Sequence, residues 1–378
     1  MSEYQYYEFL AIDRPLDQAA QDALRSISSR ARITATCFIN HYEWGDLKGD
    51  PRKFMERWFD LHLYVANWGT RRLMLRVPAR FVNRKDIDRF LREIEWVDVW
   101  TSADNLIVDI QRDEEGVDDW DDGSGRLAAL APLRTDVLSG DLRLFYLLWL
   151  TAVQGELISE DEIEPLPGIA PLTGALEAFA DFFGIDPDLV EAAAESGADH
   201  TVVSKDELRK ALAAIPEREK VELLLRVTDG DSYAGVELRT RLRRKNLVPA
   251  IRRTAGTLRM RALEIREERE RADAERREAE RRRQGAEAEK ARRVRLKILK
   301  QRGASVWREI EDGIERRNPA GYDQAISLLF DLQALALEEG SQDDFSSRVA
   351  SIRAHHEKKG KFIERLNKLG RDSDEGTT

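Results

Sequence analysis

Residues 71–77 read RRLMLRV. Leu73, Leu75 and Val77 alternate with Arg72, Met74 and Arg76, and a period of two places the two sets on opposite faces of a β-strand. Upstream, Tyr4–Ile12 and Ile33–Tyr42 are dense in aromatic and branched residues and read as two further strands. Between them Arg14-Pro15 breaks the chain, and Leu16–Ile27 carries apolar residues at helical spacing. Gly45-Asp46 and Lys48–Pro51 form a turn in which Asp50 is a natural N-cap and Pro51 a natural first helical residue. The spacing of Phe54, Trp58, Leu61 and Val65 predicts a helix from there to about Asn67, ended by Gly69. Downstream, Asp86–Ile94 reads as a short helix, and Val97–Trp100 with Leu106–Ile110 as a hairpin over Ser102–Asn105. The order β-α-β-α-β-α-β-β over residues 1–112 is compatible with a ferredoxin-like sandwich, a sheet with helices on one face.

Beyond this mixed α/β domain the chain reads as helical, so the class is α+β. Residues 113–125, DEEGVDDWDDGSG, form an acidic linker. A calcium loop starting at Asp118 would put Trp120 and Ala129 where oxygen ligands are required, which excludes it. Residues 126–235 read as an acidic helical bundle. Its most apolar helix is Asp136–Val153, followed by Leu172–Phe183, Pro187–Ala194, Lys205–Ile215 and Glu217–Thr228, with Ser204 and Glu207 as a capping box. The apolar run Leu142–Val153 is too short for a membrane span, so it is expected in the core. Residues 236–302 read as one long charged helix. Within it, residues 266–293 alternate charge, with pairs such as Arg266–Glu270, Arg269–Asp273 and Glu278–Arg282 at i,i+4. Alanines are its only apolar side chains there, which favours a charge-stabilised single helix over a coiled-coil seam. Forty to fifty helical residues span roughly 60–75 Å, the reach of a strut or arm. Residues 303–369 suggest a helical hairpin, with helices at Ser305–Ile314, Tyr322–Glu338 and Phe345–Leu369, and residues 370–378 a frayed tail.

Charge is unevenly placed along the 378 residues. The 61 Lys and Arg and 71 Asp and Glu give a net −10. Residues 1–112 hold 17 of each sign, residues 113–235 hold 9 basic and 28 acidic, and residues 236–302 hold 24 basic and 11 acidic. An acidic stretch therefore precedes a basic one, an asymmetry that points to electrostatic partners. The single Cys37 excludes a disulfide framework and a Cys-built zinc site, and fits a reducing, cytoplasmic compartment. MSEYQYYEF has no basic region followed by an apolar one, so no leader peptide is expected.

No phosphate-binding loop, dinucleotide fingerprint, nucleophile elbow or H-E-x-x-H occurs. No enzyme, metal or cofactor is therefore expected. His41, His62 and His200 lack a spaced partner, and His355 and His356 are adjacent, hence on different helix faces. One constellation suggests a pocket for an anion or a peptide: His41, Trp44, Asp46, Asn67, Trp68, Arg71 and Arg72, with Tyr42 beside them. Trp96 and Trp100 suggest an aromatic sheet face able to stack bases, although the RNA-recognition octapeptide is absent. Arg239, Arg241, Arg243, Arg244, Lys245, Arg252 and Arg253, and then Arg292, Arg293, Arg295, Lys297 and Lys300, are clustered cations of the kind that bind phosphate.

The motifs YQYYEFLAIDRPL, HYEWGDLKGDP and YVANWGTRRLMLR resemble those of a family of uncharacterised bacterial proteins, and the resemblance implies no particular activity. GYDQAISLLFDLQALA with FSSRVASIRAHHEKKGKFIERLNKLG is similar to a C-terminal helical module of some bacterial SWIM zinc-finger proteins. The zinc ligands are missing, so no metal function carries over. The function expected from the sequence is a non-enzymatic scaffold bridging protein partners in a bacterial cytoplasmic complex. The alternative is a nucleic-acid-associated protein binding through the basic helix.

Overall fold

The computed structural model describes residues 3–113, 122–195, 205–231, 233–243 and 252–367. The chain forms two compact units, Met1–Arg269 and Glu270–Thr378. The class is α+β: a sheet region, then mostly helix, with one long helix.

In the first unit seven strands make one sheet: β1 (Gln5–Leu10), β2 (Arg32–Ile33), β3 (Cys37–Tyr42), β4 (Leu61–Ala66), β5 (Thr70–Pro78), β6 (Val97–Ser102) and β7 (Asn105–Asp113). Their order is β2-β3-β1-β4-β5-β7-β6, with every neighbouring pair antiparallel. Three helices are interspersed: α1 (Gln18–Ile27), α2 (Pro51–Arg57) and α3 (Arg84–Asp88). The expected turn chemistry is present, since the Asp50 side chain accepts the Arg52 backbone N–H and Pro51 opens α2.

The ferredoxin-like order is not what forms. Two β-α-β crossovers each straddle a third strand, β3-α2-β4 around β1 and β5-α3-β6 around β7. In a ferredoxin-like sheet two such units interleave; here they lie side by side, with outside strands filling both gaps. Both crossovers step the same way across the sheet while β3 and β5 run in opposite directions. A shared crossover hand therefore puts their helices on opposite faces. That is observed: Phe54 and Met55 of α2 join one core and Ile87 of α3 the other. The sheet is thus covered on both sides, not on one.

The first face packs Phe9, Phe38 and Met74 against Leu24 of α1 and Phe54 and Met55 of α2. The second face carries Leu61, Leu63, Leu73, Leu75 and Val77. It is covered by α4 (Arg126–Leu130), α5 (Pro132–Leu138), α6 (Arg143–Gln154), α7 (Gly174–Phe182) and α8 (Pro187–Ala194). α9 (Lys205–Ala213), α10 (Glu217–Thr228), α11 (Ala234–Arg243) and the start of α12 (Ala255–Arg302) follow. The second sheet face and the helices α4–α8 therefore share one core. Arg134 of α5 clamps them together: its guanidinium donates to the Arg76 carbonyl at 2.7 Å and to Asp13 at 2.9 Å. It also lies 3.5 Å from the fully buried Asp60.

Several helix expectations differ in detail. Residues 236–302 are not one helix: α11 ends at Arg243, α12 begins at Ala255, and Thr254 just before it forms an isolated antiparallel bridge with Ile163. The helix expected to run to Asn67 stops at Arg57, and residues 61–66 are the strand β4. β4 (LHLYVA) lies between β1 and β5 with both faces covered, so large side chains stand on both of its faces, and Leu61 and Val65 also fit a helical spacing from Phe54 and Trp58. Asp136–Val153 is two helices, α5 and α6, separated at Gly140, whose positive φ of 80° suits a residue without a Cβ. Residues 143–153 are all buried, as expected for a core helix. The capping-box Ser204 lies outside the described residues.

The second unit contains the rest of α12 with α13 (Ala304–Glu315), α14 (Pro319–Glu339), α15 (Gln342–His355) and α16 (Gly360–Leu366). The expected hairpin is thus four helices after α12, with Phe345–Leu369 interrupted after His355. Leu296 and Leu299 of α12 pack with Val306, Ile310, Leu329, Leu332 and Phe362. α13 and α14 touch through glycines: a Cβ on Gly321 would stand 2.4 Å from the Gly313 carbonyl oxygen. The expected tail, 370–378, lies outside the described residues.

Candidate functional site

Alternation along β5 decides the fate of the constellation around His41. Arg71 and Arg72 are neighbours on a strand, so their side chains leave by opposite faces. Arg71 donates to the Phe182 carbonyl at 2.6 Å, at the C-terminal end of α7, where cations are favoured. Arg72 on the other face forms a two-pronged pair with Asp109, both bonds 2.7 Å. Asp109 also receives Arg52 at 3.1 Å, and Arg52 reaches Asp98 at 2.6 Å and lies 4.6 Å over the Trp100 ring. His41 is exposed and stacks on Tyr4, while Asn67 accepts the Tyr4 backbone N–H at 3.0 Å. Trp44 is 75% exposed, and the Trp68 indole N–H is bonded to Thr70 at 2.9 Å. The seven residues do not converge on one cavity.

Asp46 is drawn into a different group. It accepts the Tyr7 hydroxyl at 2.6 Å, while Gln5 donates to the Gly45 carbonyl at 2.8 Å and accepts the Tyr64 hydroxyl at 2.9 Å. Burial, together with the neighbouring Asp46, pushes the Tyr7 phenol far above its usual range; burial raises Tyr64 to about 12. His62 lies fully buried beside this group, stacked 3.9 Å from Phe9, with Nδ1 against the Glu8 carbonyl at 3.0 Å. Burial first, and the Arg72 cation second, lower its pKa to about 3, so the ring is neutral near pH 7. The group joins a loop to a sheet: the Tyr7 hydroxyl on Asp46 and the Gln5 amide on the Gly45 carbonyl hold residues 45–46 over β1, and the neutral His62 ring packs within the sheet beside them. Tyr7, Tyr64 and Gln5 belong to this face because they sit at the same parity as Phe9 and Met74. The parity of Gln5, Tyr7 and Phe9 on β1 was legible in the sequence; that of Tyr64, on a segment expected to be helical, and the pairing register were not.

Trp96 and Trp100 do not form one aromatic platform. Trp96 precedes β6 and packs on Phe183 at 5.9 Å under Arg112, whereas Trp100 faces Arg52 and donates to Glu56 at 3.0 Å. Cys37 is buried next to the Thr34 hydroxyl. Among the described residues no three His, Cys, Asp or Glu side chains are grouped to hold a metal.

The basic candidates separate into several environments. Arg239 and Arg252 are exposed. Arg241 and Arg243 lie on α11, and Arg244 and Lys245 lie outside the described residues. Arg253 is turned inward: it pairs with the fully buried Glu164 at 3.1 Å and caps α8 through the Ala192 and Ala193 carbonyls at 2.6 and 3.0 Å. Tyr146 completes the group by donating to Glu164 at 2.5 Å. Arg266 and Arg269, expected to pair along their own helix, instead reach Asp188 near the start of α8, Arg266 at 3.1 Å and Arg269 at 2.5 Å. Glu278–Arg282 is an i,i+4 pair as expected, at 2.5 Å.

The end of α12 borders an open groove. Residues 290–302, KARRVRLKILKQR, hold seven cations and no acid. Arg292 is 3.9 Å from Glu338, Arg293 is 2.9 Å from Glu289, Arg295 is 2.5 Å from Asp331 and Lys300 is 2.6 Å from Glu339. Arg302 pairs with Glu309. Between them Val294 and Ile298 are 59% and 51% exposed. With Leu328 and Asp331 of α14 they border a groove of about 470 Å³. A helix with this many charges pointed to phosphate in the sequence; the groove depends on how α14 packs, which the sequence does not show.

No helix among the described residues is long and apolar enough to cross a membrane. Compared with protein-family models, curated proteins and solved structures, the chain matches none.

Proposed function

We propose that this is a non-enzymatic interaction protein of the cytoplasm, a scaffold that binds partner proteins through apolar faces on its two units. The observation that carries the reading is the groove on the second unit, where Val294 and Ile298 stay half exposed in the middle of a heavily charged helix. A contiguous apolar patch rimmed by charge is a mark of a surface for another protein, and Val294 and Ile298, one turn apart and beside Leu328, form such a patch. The first unit supports bridging with a face of its own: on α10, Val221, Leu224 and Leu225 are exposed at i, i+3 and i+4, with Leu224 64% exposed.

Phosphate binding by the same basic stretch is the competing reading, favoured by seven cations in thirteen residues. It is weakened because five of them already face carboxylates of the same unit. A photo-cross-linking amino acid placed at Ile298, at Leu224 or at the exposed Ala279, in the full chain and in the native cells, tests the proposal. Discrete protein adducts are expected at the first two positions and not at Ala279. A chain that yields none at Ile298 or Leu224 has no such role.

A further inference from the structure

We infer that the groove at the end of α12 takes an acidic amphipathic helix of a partner protein. The inference rests on the interaction reading and adds the chemistry of the partner. Three features of the surface set that chemistry. Its floor is apolar: Val294 and Ile298 stand one turn apart, about 6 Å along the axis, opposite Leu328. Its walls are saturated, because Arg295 is held by Asp331 and Arg302 by Glu309. Its unsatisfied charge is confined to Lys290 and Lys297, both exposed and without an acidic partner among the described residues.

Those two lysines are seven residues apart, two helical turns or about 10.5 Å, and they bracket Val294. A matching helix therefore carries two carboxylates seven residues apart. Between them it carries apolar side chains at i,i+3 or i,i+4 spacing that enter the groove against Val294, Ile298 and Leu328. Each side of the match uses what the other lacks. The lysines supply orientation and association rate, and the floor supplies the apolar burial that holds the complex.

A nucleic-acid backbone fits the same surface poorly. Its phosphates would meet Lys290 and Lys297 but lay a charged chain across an apolar floor, beside the carboxylates of Asp331, Glu338 and Glu339. A helix with an apolar stripe satisfies both parts.

The test uses the full chain and fluorescein-labelled peptides followed by anisotropy. One set of peptides is helical, with Glu at i and i+7 and Leu, Ile or Phe between. A second has the same compositions scrambled so that no apolar face forms, and a labelled DNA duplex is the third probe. Two double variants, Val294→Ser with Ile298→Ser and Lys290→Glu with Lys297→Glu, alter only exposed side chains, and circular dichroism verifies their helicity. The expected result is saturable binding of the amphipathic peptides. It should weaken at least about tenfold in the serine variant. In the glutamate variant it should weaken about fivefold or more, with most of its salt dependence lost. Equal binding of scrambled peptides would overturn the inference, since charge alone would then suffice. So would duplex binding without peptide binding, or self-association abolished by the serine variant in place of peptide binding. Peptides that fail while Ile298 still cross-links to a protein refute the acidic-helix partner alone; failure of both removes the interaction reading as well.

Discussion

Replacing Arg253 by Met separates a structural arginine from a phosphate-binding one. Arg253 was one of the cations suited to nucleic acid, yet its guanidinium lies on Glu164, which is fully buried, and on two carbonyls at the end of α8. Methionine keeps much of the side-chain volume and removes the charge. Breaking a buried ion pair from one side costs about 3–5 kcal/mol, because the remaining charge stays buried and uncompensated. Glu164 retains the Tyr146 hydroxyl at 2.5 Å and the Arg253 backbone N–H at 2.8 Å, which places the loss at the low end, about 3 kcal/mol. In a unit of this size that corresponds to a fall in Tm of roughly 6–12 °C. Tryptophan fluorescence is the assay, since Trp307 is the one tryptophan beyond residue 269 and the signal reports the first unit. Adding Glu164→Gln to Arg253→Met removes the orphaned charge and should recover about 1–2 kcal/mol. A single variant whose Tm stays within about 2 °C of the parent, but which loses affinity for a DNA duplex, would refute the assignment of Arg253 to the core.

Other substitutions examine the rest of the molecule. His62 remains neutral in the fold down to about pH 3, while the unfolded chain takes up a proton below its ordinary value near 6.5, so this residue makes stability fall as the pH falls through that window. Between pH 7 and 5 the loss is about 2 kcal/mol, and urea unfolding should show it in the parent and not in His62→Leu; equal slopes for the two proteins would contradict the buried neutral ring. Gly321→Ala forces a methyl onto the Gly313 carbonyl and should cost about 1–3 kcal/mol, read by hydrogen exchange as roughly 10- to 100-fold faster amides in α13 and α14. Unchanged protection there would mean that the two helices can separate without cost. Trp44→Ala removes an exposed side chain and should leave Tm unchanged to within the roughly 0.5 kcal/mol typical of surface sites. A larger fall would show Trp44 to be packed.

Much of the local structure was legible because it follows from neighbouring residues. The alternation in residues 71–77, the Asp50-Pro51 helix start, the hairpin at 97–110 and the helices Pro187–Ala194 and Glu217–Thr228 are set by period, caps and turns. β4 was misread because a strand covered on both faces carries large side chains at every position, so Leu61 and Val65 also fit the helical spacing of Phe54 and Trp58. The pocket expected from His41 to Arg72 failed for a related reason: residues close in sequence on a strand are sent to opposite faces.

Side-chain identity along the chain therefore determined most of the local elements, the α+β class, the core character of Leu142–Val153 and the charged character of the long helix. Tertiary structure decided which charges remain available. Arg253 looked like a surface cation and became an inward clamp, because Glu164, far away in sequence, is enclosed with it. Arg295 and Lys300 looked free and are held by acids on α14, while Lys290 and Lys297 have no acidic partner among the described residues. The physical reason is one of range. Helical and strand periodicity act over a few residues, but an ion pair or a groove needs two segments to meet, and only packing of the whole unit brings them together.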